Sequence, residues 1–336
     1  KPDAVARGRR THAVPQIYTS AQNVDITAEG SLNYYDKSTG QFYSIDEGGN
    51  IQTLSSEKFP DVENVVWAPR GNKGILEFPD GSNIYYDFDQ EKQYTLPQEG
   101  EGFNFSKAGD QIGYRFITPN PDENWLVVSA PTGDKTVAIE HIGEASTEDV
   151  MVNWSNDNNK VGFFRASAGI ESEEIFFIGK NRENFKSLEV DGKGFEGTWS
   201  PQGDTLLYNV YTADTGYRPE LWITNVSNDT SGGRKQRLGL YTWVKKCAFA
   251  SDNTNIYCAV PLYLKQGSGI YPAIADTVPD VIYKINVKTG FRQQIAIPTD
   301  SVGVSLYTVG TLLLSPDGKV LHMADKRGGI YKIQLE

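Results

Sequence analysis

Ser200-Pro201-Gln202-Gly203, one residue ahead of Thr205-Leu206-Leu207-Tyr208, reads as a tight turn feeding an apolar β-strand. Ser315-Pro316-Asp317-Gly318 stands before Val320-Leu321-His322-Met323 in the same way. Thr27-Ala28-Glu29-Gly30, Ala68-Pro69-Arg70-Gly71, Ser106-Lys107-Ala108-Gly109, Ser155-Asn156-Asp157-Asn158 and Ala250-Ser251-Asp252-Asn253 are looser copies. A small or hydroxyl residue opens each phrase, and Gly or Asn closes it. The closing residues fall at 30, 71, 109, 158, 203, 253 and 318, at intervals of 41, 38, 49, 45, 50 and 65. Units of roughly 40 to 50 residues match four-stranded propeller blades and are too long for leucine-rich repeats.

The surroundings of each phrase repeat as well. Val62 to Trp67 leads into the second copy and Gly74 to Phe78 leaves it; Gly194 to Trp199 and Thr205 to Val210 do the same around the fifth. A third strand follows, as in Asn83 to Phe88 or Leu221 to Thr224, and a more polar fourth, as in Gln93 to Leu96. The expected fold is therefore all-β: one seven-bladed β-propeller of four-stranded antiparallel blades. The blades run over 22–56, 60–98, 100–143, 148–190, 193–240, 242–299 and 303–336. The last lacks a fourth strand, and an open edge invites aggregation. Val14-Pro15-Gln16-Ile17-Tyr18 has no home in the first blade, so it is expected to complete the seventh. Residues 1–13 are expected to be a flexible tail ahead of a single 14–336 domain, with Arg7, Arg9 and Arg10 solvated on it.

A net charge of −11 leaves no concentrated basic face for a phosphate backbone, which argues against nucleic acid as partner. No apolar run reaches the roughly 18 residues of a membrane span, and the N-terminus carries no signal-peptide core, so any anchor would lie upstream. A monomer is expected.

The two cysteines sit around one turn. If Ser251 to Thr254 is that turn, antiparallel partners sum to 505, so Ala250 faces Asn255 and Cys247 faces Cys258. Directly opposed residues come within range of a disulfide, which would favour an oxidising compartment; two buried thiols are the alternative.

The Ser-Pro-Asp-Gly turns, the inner strands ending at Trp67, Trp154 and Trp199, and third strands such as Ile330-Tyr331-Lys332-Ile333 resemble the WD40-like (PD40) repeats of TolB-type β-propeller proteins. The resemblance covers the chain from about residue 14 onward and extends to bacterial propellers displayed outside the membrane. It implies a docking platform, an accessory domain or a surface protein in an extracytoplasmic setting. No α/β-hydrolase domain is appended, so peptidase activity is not implied.

Elaboration is expected on one face only. The first-to-second hairpins stay short, whereas second-to-third connections lengthen in neighbouring blades: Thr118 to Asn124, Ala166 to Glu173, Tyr211 to Pro219 and Pro261 to Pro279. Binding residues concentrate on such loops. Candidate ligand-binding residues are Arg165, Tyr211, Tyr217, Arg218, Trp243, Lys245, Tyr263, Tyr271, Asp276 and Asp280, because Tyr, Trp and Arg most often carry interface energy. Each has a plainer reading, in which the aromatics fold the loops down and the charges face solvent.

Catalytic signals are poor. His12, His141 and His322 lie far apart, and there is no Gly-x-Ser-x-Gly elbow, P-loop, dinucleotide fingerprint or calcium loop. No cofactor or metal is expected. The reading is a non-catalytic module that binds a protein, peptide or cell-wall glycan on the face of the blade three to six loops. One rival is a glycosidase or lyase using carboxylates such as Asp276 and Asp280, or Glu173 and Glu174; another is a structural surface domain without a dedicated ligand.

Overall fold

Each of the seven turns is built on the residue that ends its phrase. Gly30, Gly71, Gly109, Gly203 and Gly318 have φ of +92°, +69°, +76°, +74° and +74°, and Asn158 and Asn253 take +59° and +54°. Glycine enters this left-handed region freely and Asn tolerates it, which explains the restriction at that position. The opening residue has its own task. The hydroxyl oxygens of Ser106, Ser155, Ser200 and Ser315 accept the backbone N–H five residues on, at 3.1, 3.0, 3.2 and 2.9 Å. These serines are buried, so the bond satisfies groups cut off from water.

The computed structural model describes residues 1–145, 149–226, 232–304 and 307–335. Residue 148, where the fourth blade was expected to begin, and residue 336, where the seventh was to end, lie outside them. The protein is an all-β, seven-bladed propeller of seven sheets. Among the described residues, helical geometry is confined to short 3-10 turns at Pro121–Glu123, Val244–Lys246 and Pro272–Ala275.

Blade one comprises strands Ala21–Ile26, Leu32–Asp36, Gln41–Ile45 and Ile51–Thr53; blade two, Asn64–Trp67, Lys73–Glu77, Asn83–Asp87 and Lys92–Leu96. Blade three is Gly100–Phe105, Ile112–Phe116, Trp125–Ser129 and Val137–His141; blade four, Val150–Val152, Lys160–Ser167, Ser172–Gly179 and Leu188–Asp191. Blade five is Lys193–Trp199, Thr205–Tyr211, Glu220–Asn225 and Gln236–Arg237, and blade six is Cys247–Phe249, Asn255–Pro261, Asp280–Asn286 and Arg292–Thr299. Blade seven has Val309–Leu314, Val320–Asp325 and Ile330–Gln334.

The missing fourth strand of blade seven comes from the N-terminus. Val14–Ile17 runs antiparallel to Ile330–Gln334, pairing Val14 with Lys332 and Pro15 with Tyr331. The residues placed by sequence in a tail are also paired. Arg9–His12 lies parallel to Arg292–Thr299 as a fifth strand of blade six, with Arg9 opposite Ala296 and His12 opposite Thr299. The N–H of Ala6 donates to the carbonyl of Gln334 at 2.8 Å, and that of Gly8 to Ile295 at 2.6 Å. One short segment thus covers the outer edges of two blades.

The chain divides into two compact units. The first comprises Lys1–Ala21, Ser167–Glu174 and Leu188–Glu336; the second, Gln22–Ala166 and Ile175–Ser187. The first unit is held by aliphatic packing, in which Ile256, Ile282, Ile285, Leu321, Met323 and Ile333 have no exposed surface. Aromatic contacts dominate part of the second. Phe42 packs on Trp67 edge-on with centroids 5.7 Å apart and on Phe88 at 4.8 Å, and Phe59 meets Tyr86 at 5.1 Å.

Candidate binding surface on the elaborated loops

Within the first unit, the long connections of blades five and six hold each other by backbone hydrogen bonds. The N–H of Gly267 donates to the carbonyl of Gly216 at 2.9 Å, and that of Gly269 to Tyr217 at 2.7 Å. Arg218 adds a staple: its Nε donates to the carbonyl of Leu264 at 2.8 Å, and Nη1 to that of Thr215 at 3.1 Å. Tyr211 packs beneath, its ring edge-on to Tyr217 at 6.4 Å and so close to Gly269 that a Cβ there would sit 2.6 Å from the ring. Residues 167–174 join this assembly, since a Glu171 carboxylate oxygen accepts the N–H of Ala213 at 3.2 Å. In blade four the connection is shorter than expected, because Lys160–Ser167 and Ser172–Gly179 continue as strands through most of it.

What the braced loops show to solvent is largely apolar. Tyr271 is 68% exposed, Tyr263 60% and Leu262 56%, joined by Ile270, Ile274, Tyr217 and, from residues 167–174, Ile170. Lys265 is exposed beside them in sequence, and Lys245 is exposed on the turn before the first strand of blade six. A surface this apolar on loops this well fastened is uncommon without a partner.

The other expected site residues separate from these four, Tyr217, Lys245, Tyr263 and Tyr271. Tyr211 and Arg218 serve the loops themselves, as their contacts above show. Trp243 is buried, with the Lys246 ammonium 5.7 Å from its ring centroid. Asp280 has no exposed surface; both its oxygens accept from Lys246 Nζ at 2.9 Å, and one also accepts the N–H of Val309 at 2.7 Å. Burial pushes the Asp280 carboxyl up, opposed by Lys246, and pushes the Lys246 ammonium down, opposed by Asp280. Such a pair joins the third strand of blade six to the turn before its first and to blade seven, and is committed to the scaffold. Asp276 pairs with Lys326. Arg165 is half-buried and belongs to the other unit, its backbone N–H bonded to Asp149 at 2.7 Å. Glu173 is buried and accepts the N–H of Phe195 at 3.2 Å. Of the carboxylates imagined for a glycosidase, Asp280 and Glu173 are thus held in buried contacts and Asp276 in a surface ion pair with Lys326.

Cys247 and Cys258 face each other in register and are disulfide-bonded. Sequence had pointed there through the 505 sum alone. Lys246 and Lys326 carried no such signal, because their partners are set by the packing of blade six against blade seven. Among the described residues, no three His, Cys, Asp or Glu side chains group as metal ligands would.

No family model matches the chain, and no curated protein matches it in sequence. Solved structures do match in fold. The β-propeller domain of Cps50 (Swd1) from Myceliophteria thermophila aligns at a TM-score of 0.62 and 12% identity, covering 97% of this chain and 99% of that one. Oligogalacturonate lyase in complex with manganese aligns at 0.57 and 12% identity over 99% of both chains. Tricorn protease aligns at 0.58 and 12% identity over 100% of this chain, which spans 34% of that protease. At such identities the likeness shows the propeller fold and no shared activity.

A second feature escaped the sequence altogether. In the second compact unit, a cavity of about 410 Å³ lies against blades three and four, lined by Ile142, Phe164, Phe176 and Phe185 together with Glu140 and Arg182. Phe164 and Phe176 lie 6.1 Å apart, centroid to centroid, and Phe176 is 38% exposed. Phe164 and Phe176 sit on adjacent strands and read in sequence as ordinary core positions.

Proposed function

We propose that this chain is a non-catalytic docking module, recognising a protein, peptide or cell-wall glycan through the loop surface of blades five and six. The carrying observation is the exposure of Tyr263, Tyr271, Leu262 and Ile270 on a loop fixed by bonds to its neighbour. Rigid aromatic groups presented to water lose little conformational freedom on binding and bury large area, as the energetic centres of interfaces do. The engaged state of Asp276, Asp280 and Glu173 supports docking over carboxylate catalysis. The proposal takes the protein as an extracytoplasmic monomer of the TolB-type kind. The disulfide is compatible with that compartment, and no helix among the described residues is long and apolar enough to cross a membrane.

The test is binding of wild type and Y263S/Y271S to a displayed peptide library and an array of cell-wall glycans, beside turnover assays on the same polysaccharides. At least one probe class should bind wild type and lose about ten-fold or more in the variant, as expected for two interface anchors. Equal binding by both proteins, or turnover by either, would contradict the reading.

A further inference from the structure

The cavity of the second unit carries an arrangement of charge that its packing does not need. Its floor is apolar, formed by Phe164, Phe176, Phe185 and Ile142. Glu183 is already engaged, its carboxylate accepting the backbone N–H and side-chain amide of Asn181 at 2.8 and 2.7 Å. Arg182 is held by one bond, from Nη2 to the carbonyl of Ala138 at 3.2 Å, which leaves most of its fork of donors uncommitted by that contact. That carbonyl lies on Val137–His141, and Glu140 stands two residues further along the same strand, past the bulge between the pairing of Ala138 with Val127 and that of Glu140 with Leu126. Arg182 and Glu140 both line the cavity as opposite charges, and among the described residues no ion pair joins them. Two unlike charges beside an aromatic floor are complementary to a molecule with both charges and an apolar group.

We propose that this cavity binds a small zwitterion with an apolar side chain, an α-amino acid or a dipeptide. The ligand carboxylate would be taken by Arg182, the ammonium by Glu140, and the side chain by the phenylalanine floor. Each element has a physical basis. The guanidinium fork matches a carboxylate with two parallel bonds. An ammonium gains from both a carboxylate and the faces of neighbouring aromatic rings. A volume near 410 Å³ suits a ligand of this size, since small-molecule sites run from about 300 to 1,000 Å³.

Calorimetry on the full chain with L-phenylalanine, L-leucine and phenylalanyl-leucine tests this against N-acetyl-L-phenylalanine, L-phenylalaninamide and N-acetyl-L-phenylalaninamide. The zwitterions should bind at or below millimolar concentration, each singly capped compound about ten-fold more weakly, and the doubly capped one without measurable heat. R182Q and E140Q, both at exposed positions that leave the core intact, should each weaken L-phenylalanine about ten-fold, and F176A should weaken L-phenylalanine more than glycine. Comparing the amino acids with the dipeptide distinguishes a free amino acid from a peptide as the preferred form. No heat from any zwitterion at about ten times millimolar concentration overturns the proposal. So does equal binding of the doubly capped compound, or affinities unchanged in both R182Q and E140Q.

Discussion

The seven hairpin turns and the second-to-third connections differ in what they ask of their residues. At the turns the requirement is conformational: left-handed backbone at the fourth position and a small opening residue, which in four of the seven is a buried Ser whose hydroxyl accepts the N–H five residues on. Any chain closing that hairpin meets it with the same few residue types, so the phrase recurs. The connections carry no common backbone requirement. Phe116 to Trp125 and Tyr211 to Glu220 bound loops of eight residues and Pro261 to Asp280 one of eighteen, each fastened by contacts of its own. Repetition therefore marks the scaffold, and divergence marks the surface that has been shaped for something.

The largest effect that tests this contrast concerns a residue that looked like surface and is scaffold. K246M leaves Asp280 buried without its partner and should cost about 3–5 kcal/mol in urea unfolding. The loss should shrink as pH falls, because the isolated carboxyl, already pushed up by burial, can then take a proton. A loss under about 1 kcal/mol would return Asp280 to the set of accessible site residues.

Next in size is the closing strand. His322 on blade seven meets Gln16 of that strand at 3.0 Å, and burial, reinforced by Lys332, lowers its pKa from 6.5 to about 4. Between these values the unfolded chain binds a proton that the folded chain does not. Stability should then fall as pH drops from 6.5 towards 4, by up to ~1.4 kcal/mol per pH unit, and the difference between wild type and H322N should follow that slope. Parallel pH profiles for the two proteins would contradict the assignment.

Smaller again, G318A forces a side chain into φ +74° where no atom lies within 4 Å of the new Cβ, so the cost is backbone alone, about 1–2 kcal/mol. At the opposite pole, Y271S on the divergent loop should change stability by less than about 0.5 kcal/mol. If the order of these two is reversed, the division between scaffold and surface fails.

Legibility in the sequence followed the same line. The blades and the facing of Cys247 with Cys258 rest on local turn chemistry or antiparallel arithmetic, which sequence records directly, and the completion of blade seven by Val14–Ile17 follows from a ring left one strand short. The pairing of Arg9–His12 with Arg292–Thr299 was not readable, because a parallel partner far away in sequence has no turn to announce it. Asp280 opens a strand after a long loop, and its position there does not reveal whether it points to solvent or to Lys246. Arg218 and Tyr211 were named as candidate ligand contacts; Tyr211 ends the second strand of blade five, and the contacts of the two to Leu264 and Gly269 depend on how two loops fold together. The exposed surface of Ile270, Ile274 and Leu262 was missed because isolated aliphatic residues in a loop carry no period.

The central claim is that recognition belongs to the divergent loops and not to the repeated turns. Site-specific photocrosslinking compares the two directly, with a photoreactive residue at position 271 in one protein and at position 319, beside an exposed turn, in another. In the same cell-envelope extract, the account predicts a discrete adduct from position 271 that is lost when Tyr263 is changed to Ser, and none from position 319. Adducts from position 319 alone, or equally from both, would contradict it.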